Sequence, residues 1–269
     1  METAPELPAG SQLADRCWRL NNLYTIQNKT GKKIPFRLNW AQAALLEGLH
    51  ECSLILKARQ LGFTTFVQLF FLDACLFNSN IRAGTIAHRL DDARVIFRDK
   101  VKSPYNDLPD VLKAARPIIR DSADELVFAN NSSIRVSTSM RSGTLQYLHI
   151  SEYGQLCARF PDKAREIRTG ALNAVQAGQV IVIESTAEGR EGHFYDLCEQ
   201  AQAKQRIGMP LTPLDFKFSF FPWWKALEYA IDPEGVVIDE QFRKYFAKLQ
   251  ATVGIVLTLS LIHLSLIHI

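Results

Sequence analysis

The chain has 269 residues, is 47% hydrophobic and 22% charged, and carries 14 Gly and 11 Pro, an ordinary globular composition with room for one large or two modest domains. Its net charge of +3 permits a DNA partner without demanding one, and a solvated surface of mixed sign is the better account of it. The five cysteines (Cys17, Cys52, Cys75, Cys157, Cys198) are scattered with no C-x-x-C pair, which argues against a disulfide framework or a thiolate metal site and for reduced, mostly buried thiols in a cytosolic protein.

In chain order, "METAPELPAGSQLADR" has no basic stretch followed by an apolar core, so no secretion signal is expected. Residues 1–30 are polar and ambiguous, and are set apart as an N-terminal segment. "NWAQAALLEGL" (39–49) reads as a short amphipathic helix with Asn39 as its N-cap. "SLILK" (53–57) reads as a buried strand, 58–63 as a loop, and 64–77 as a helix. A strand is expected at 82–87 and a charged helix at 89–102. Both arms of 124–139 alternate around "ANNS", which predicts a hairpin. Then come a strand at 145–151, a helix at 162–175, a strand at 179–186 and a helix at 194–206. Strands alternating with helices predict an α/β fold with a largely parallel sheet, whose ligands sit at the carboxyl ends of strands.

Three strand ends carry polar residues suited to one site. The loop "KARQLGFTT" (57–65) opens a helix, where unpaired N–H groups and the helix dipole favour phosphate. Gly62 allows close approach, and Thr64 can offer a hydroxyl to Mg²⁺. Phe63 stands where G-x-x-x-x-G-K-[ST] has lysine, leaving Lys57 and Arg59 as the nearby cations. The loop is either a phosphate cradle or a plain strand-to-helix turn. "LHISEYG" (148–154) ends an apolar strand in Glu152, which can orient an attacking water or simply face solvent. Where many such sites hold a metal-anchoring Asp before the Glu, this chain has Ser151. "VIVIESTAEG" (180–189) ends in Ser185 and Thr186, hydroxyls for a γ-phosphate or for an ordinary helix cap. Asp124 and Glu184 are the alternative acids if Glu152 does not position water.

The order of these three ends resembles P-loop ATPases of the helicase and translocase kind, and in particular the ATPase domain of the large terminase subunit, the motor that packages DNA into viral capsids. The resemblance spans 36–222 and implies a P-loop NTPase core of RecA-like type over 31–208, followed by the start of a linker subdomain over 209–252. It implies ATP and Mg²⁺ as cofactors. Lys57, assisted by Arg59, would carry the displaced cation, with Gln60, Gly62 and Thr65 completing the loop. Thr64 and Ser151 would lie on the metal side, Glu152 would position the water, and Ser185 and Thr186 would couple hydrolysis to DNA movement. Gln42 falls where the family reads adenine, and Arg141 where some members carry a finger that reaches a neighbouring subunit. The implied partners are double-stranded DNA, a small terminase subunit, a portal ring and further copies of the chain in a ring, in the host cytoplasm at the procapsid.

Two departures, Phe63 and Ser151, leave open a nucleotide-dependent DNA-binding module without catalysis; another P-loop helicase or translocase is the further alternative. "FKFSFFPWW" (216–224) would begin the linker, with Trp223 and Trp224 packed in its core or stacked on bases. His88, His149 and His193 lack metal-ligand spacing. The basic residues of 82–120 alternate with acids and read as solvated faces. The repeat "LSLIHLSLIHI" (259–269) resembles the translation of a sequencing-library adapter, so 253–269 is expected to be a non-native tail and the gene to be truncated before a nuclease domain. The uncharged run 253–269 falls short of the about 20 residues of a membrane span.

Overall fold

Residues 10–35 form two short helices, α1 (Gly10–Ala14) and α2 (Arg16–Asn22), and an antiparallel ribbon of β1 (Thr25–Gln27) with β2 (Lys33–Pro35). The structure is a computed structural model that describes residues 10–140, 144–172, 178–226, 234 and 238–254. Contacts divide it into two units, Met1–Leu56 with Gln60–Ser219, and Lys57–Arg59 with Phe220–Ile269.

In the larger unit, α3 (Trp40–Glu47) starts at Asn39, whose side chain accepts from the Ala41 and Gln42 N–H groups, while Gln42 returns its oxygen to the Asn39 N–H in a capping box. The apolar run that follows becomes β3 (Cys52–Lys57), buried along nearly its whole length as a strand covered on both faces must be. Helix α4 (Phe63–Phe77) is almost entirely buried, in keeping with its apolar character all round. β4 (Arg82–Ile86) precedes α5 (Leu90–Phe97). The helix expected to reach 102 changes to π-helical turns at Arg98–Lys102 and resumes as α6 (Ser103–Asn106), where Pro104 removes one N–H from the ladder. Then come α7 (Asp110–Ala115) and β5 (Ile118–Asp121), two exposed elements without a clear sequence signal.

The expected hairpin is β6 (Glu125–Phe128) and β7 (Ser133–Ser137), turning at Asn131 with φ +61°. β8 (Tyr147–Ser151) leads to α8 (Tyr153–Arg159), which stops before Pro161, and to α9 (Pro161–Ile167). π-helical turns extend α9 over Arg168–Leu172, and the rest of the helix expected to 175 lies outside the described residues. β9 (Val180–Ser185), α10 (His193–Arg206) and β10 (Phe216–Phe221) follow.

Among the described residues the central sheet has eight strands in the order β10-β3-β9-β8-β4-β7-β6-β5. The run from β3 through β9, β8 and β4 to β7 is parallel, and β6 and β5 add antiparallel strands at the far edge. Alternation sorts its side chains. Leu54, Leu148, Ile150, Ile181 and Ile183 enter a cluster with Phe194, Cys198 and Ala201 of α10, spaced one helical face apart. On the other face Tyr147 and His149 meet the edge of Phe71 in α4.

In the smaller unit α11 (Glu240–Val253) is capped by Asp239, which accepts from the Phe242 N–H, and closed by Gly254 at φ +69°. Trp223 and Trp224 pack against Ile238, Phe242 and Phe246. Most of the segment 253–269 lies outside the described residues.

Candidate functional site

Helix α4 presents Thr64, Gln68 and Phe71, spaced i, i+4 and i+7 and so on one face, to the ends of β8 and β9. The Thr64 hydroxyl donates to Glu184 Oε1 at 2.9 Å. Ser151 donates its hydroxyl to the same oxygen, also at 2.9 Å. Glu184 and His149 are both fully buried, with His149 Nε2 3.5 Å from that oxygen. Gln68 Nε2 lies 2.8 Å from Thr85 Oγ1 and 3.0 Å from His149 Nδ1. Glu184, weighed in the sequence only as a reserve acid, is therefore the hub that meets the loop hydroxyl.

The loop itself is held from α3. Asn39 Nδ2 donates to the Leu61 carbonyl at 3.0 Å and Gln42 Nε2 to the Gly62 carbonyl at 2.9 Å. Gly62 takes φ +73° as the N-cap of α4, and a Cβ there would lie 2.7 Å from Gln42 Nε2, so both conformation and space require glycine. No side chain caps α4 at this end. Gln60 has φ +58° and accepts from Lys29 Nζ at 2.7 Å. Phe63 is buried, 1% exposed, and Thr65 is buried off the Thr64 stripe. Lys57 ends β3 as a buried residue, Arg59 is exposed, and the Ala58 N–H donates to the Phe221 carbonyl within the smaller unit.

The other two strand ends interlock. Glu152 sits in the left-handed region at φ +52°, uncommon for a residue with a side chain. Its Oε2 accepts from the Thr186 N–H at 3.4 Å. Ser185, fully buried, accepts from the Gly154 N–H at 3.0 Å, and a Cβ on Gly154 would stand 2.8 Å from that hydroxyl. A cleft of about 200 Å³ opens beside these ends, lined in part by Leu56, Gly154, Gly189 and Phe194. Thr64, Ser151, Glu152, Glu184, Ser185 and Thr186 thus gather at the carboxyl ends of the parallel strands.

Arg141 lies outside the described residues. Asp124 accepts from Ser122 in the turn between β5 and β6, away from these strand ends. His88 pairs with Asp92 and His193 lies 2.8 Å from the Tyr153 hydroxyl; no group of three His, Cys, Asp or Glu fit for a metal gathers among the described residues. Several basic residues of 98–120 pair with acids, as in Lys102 with Asp121, Lys113 with Asp110 and Arg120 with Glu125. No disulfide forms among the five cysteines. No helix among the described residues is long and apolar enough to cross a membrane.

No protein-family model matches the chain, and no curated protein matches it. Among solved structures it is similar to the ATPase domain of the large terminase of Thermus phage P74-26, at 14% identity over 81% of this chain and 88% of that one, with a TM-score of 0.51. It is also similar to the large terminase of bacteriophage HK97, at 14% identity over 92% of this chain and 52% of that one, with a TM-score of 0.58. The chain spans about half the length of the HK97 protein. At this identity the likeness is one of fold: the protein has the P-loop ATPase fold of the large terminase ATPase domains, with a mostly parallel sheet flanked by helices.

Proposed function

We propose that this chain is an ATP-hydrolysing motor domain of the large terminase kind, acting on double-stranded DNA with a portal ring and a small terminase subunit as partners and assembling as a ring. The observation that carries the reading is the meeting of Thr64, from the first turn of α4, with Ser151 and Glu184 at the tips of two parallel strands. This is where an open α/β sheet takes its ligands.

The residues present fit ATP with Mg²⁺. A 15-residue helix opens at a left-handed glycine with no side-chain cap, which suits phosphate. Beside it the hydroxyls and carboxylate form an all-oxygen set suited to a hard cation. When bound, Mg²⁺ neutralises charge developing on the β- and γ-phosphate oxygens. Thr64 and Ser151 would face the metal, Lys57 and Arg59 would neutralise the phosphates, and Glu152 would orient the attacking water. Thr186, whose N–H already meets Glu152, would report the state of that carboxylate to the rest of the domain.

Phosphate release by the full chain, with and without double-stranded DNA, together with the affinity for a non-hydrolysable ATP analogue, tests the reading. Binding with DNA-stimulated release is the expected result. Binding with no release, even in assembled rings, favours the nucleotide-dependent DNA-binding module instead, and absence of binding overturns both.

A further inference from the structure

We propose that the metal-anchoring acid of this site has moved one strand sideways, from the position of Ser151 on β8 to Glu184 on β9. The proposal rests on the nucleotide-site reading above and assigns a residue within it.

The sheet makes the exchange possible. Ser151 and Glu184 are paired across the parallel β8 and β9, so their Cα atoms lie about 4.8 Å apart in the strand-to-strand direction. Both point to the α4 side, because their neighbours Ile150 and Ile183 enter the opposite cluster. Glutamate is one methylene longer than aspartate, and that reach lets a carboxylate rooted on β9 lean toward β8. It does so here: Glu184 Oε1 accepts the Ser151 hydroxyl and the Thr64 hydroxyl, each at 2.9 Å. Ser151 is then the smaller residue that leaves room for the neighbour's side chain.

The surroundings of the two acids point the same way. His149 Nε2 lies 3.5 Å from Glu184 Oε1, and Gln68 Nε2 lies 3.0 Å from Nδ1 on the far side of the ring. Glu152 is engaged elsewhere, at the Thr186 N–H. The two acids therefore divide the work, Glu184 beside the phosphate-loop hydroxyl and Glu152 at the tip of the next strand.

The test measures affinity of the full chain for a non-hydrolysable ATP analogue with Mg²⁺ and with EDTA, and follows Mn²⁺ by electron paramagnetic resonance in the presence of the analogue. Mg²⁺ is expected to tighten binding by the parent chain. Glu184→Gln should lose about tenfold or more of that tightening, read as the ratio of its affinities with and without Mg²⁺, and weaken the Mn²⁺ signal of the complex. Adding Ser151→Asp to that variant should restore both. A Glu184→Gln chain that keeps the full metal effect overturns the assignment and leaves the nucleotide site standing, as does a parent that binds equally well without metal. A parent that binds no analogue under either condition overturns the site itself. Should Glu184→Gln fail to fold, Ser151→Asp alone decides: a second carboxylate at the same place should strengthen Mn²⁺ retention, and unchanged retention refutes the proposal.

Discussion

Arg19 grips Asp73 through both ends of its guanidinium, Nε to Oδ1 at 2.8 Å and Nη2 to Oδ2 at 2.7 Å, with both residues buried. The pair ties α2 to the middle of α4, and the Tyr24 hydroxyl adds a third donor to Asp73 at 3.0 Å. Burial, and then the charge of Asp73, raises the pKa of Tyr24, so it stays protonated and keeps donating. Residues 16–24 are therefore clamped to the helix that follows the 58–62 loop.

Asp73→Ala would leave Arg19 buried without its carboxylate, holding only the Leu13 and Ala14 carbonyls. The expected loss is about 3–5 kcal/mol of stability. For a chain of this size that is a fall of roughly 6–20 °C in the thermal midpoint. Calorimetry or circular dichroism checks it, and an unchanged midpoint would show that Arg19 finds other partners.

Lys57→Ala is expected to weaken ATP binding and hydrolysis together, by about tenfold to a hundredfold in affinity, because a cation on the β- and γ-phosphates acts in ground and transition states alike. Phe63→Lys should not substitute for it. Phe63 is 1% exposed, and an amine forced into that space would be buried without a partner. Gain of activity in Phe63→Lys would count against the displaced-cation reading.

Glu152→Gln should retain ATP binding while turnover falls by about 10²-fold or more, as expected for loss of a water-orienting base. Single-turnover hydrolysis beside equilibrium binding separates the two effects. Parent-like turnover would transfer the role to another acid.

Gln42→Ala discriminates between two uses of one amide. Its nitrogen holds the Gly62 carbonyl and its oxygen caps α3, so its loss should loosen the loop and weaken ATP and GTP binding to the same extent. Adenine reading requires instead that ATP binding suffer selectively. Gly62→Ala should destabilise the chain by about 1–2 kcal/mol from its left-handed backbone alone.

The strand, loop and helix around 52–77 were legible because a strand buried on both faces and a helix buried all round leave long apolar runs, broken only where glycine must turn. The capping box at Asn39 and Gln42 is half visible in the sequence: Asn39 reads as the cap, whereas the reciprocal role of Gln42 emerges only in the structure. Glu184 as hub was not legible, since it closes an apolar run and nothing in a linear sequence states that β9 lies between β3 and β8. Register across parallel strands joins residues far apart in the chain, and no local pattern encodes it. β5 and α7, exposed and polar, had too little apolar periodicity to be read.

The place of β3 in the sheet governs when this loop can exist during synthesis. Its two lateral neighbours, β9 and β10, are encoded far downstream, and Cys52 finds its partner only when Ile181 has emerged. At ribosomal rates of about 5–20 residues per second the strand waits roughly 6–30 s, with its apolar side chains and open edges available to chaperones or to other chains. Contacts of such long sequence separation also slow folding once the chain is released. The loop after β3 is thus made early and secured late, and a chain cut ahead of residue 180 would carry its sequence without its shape.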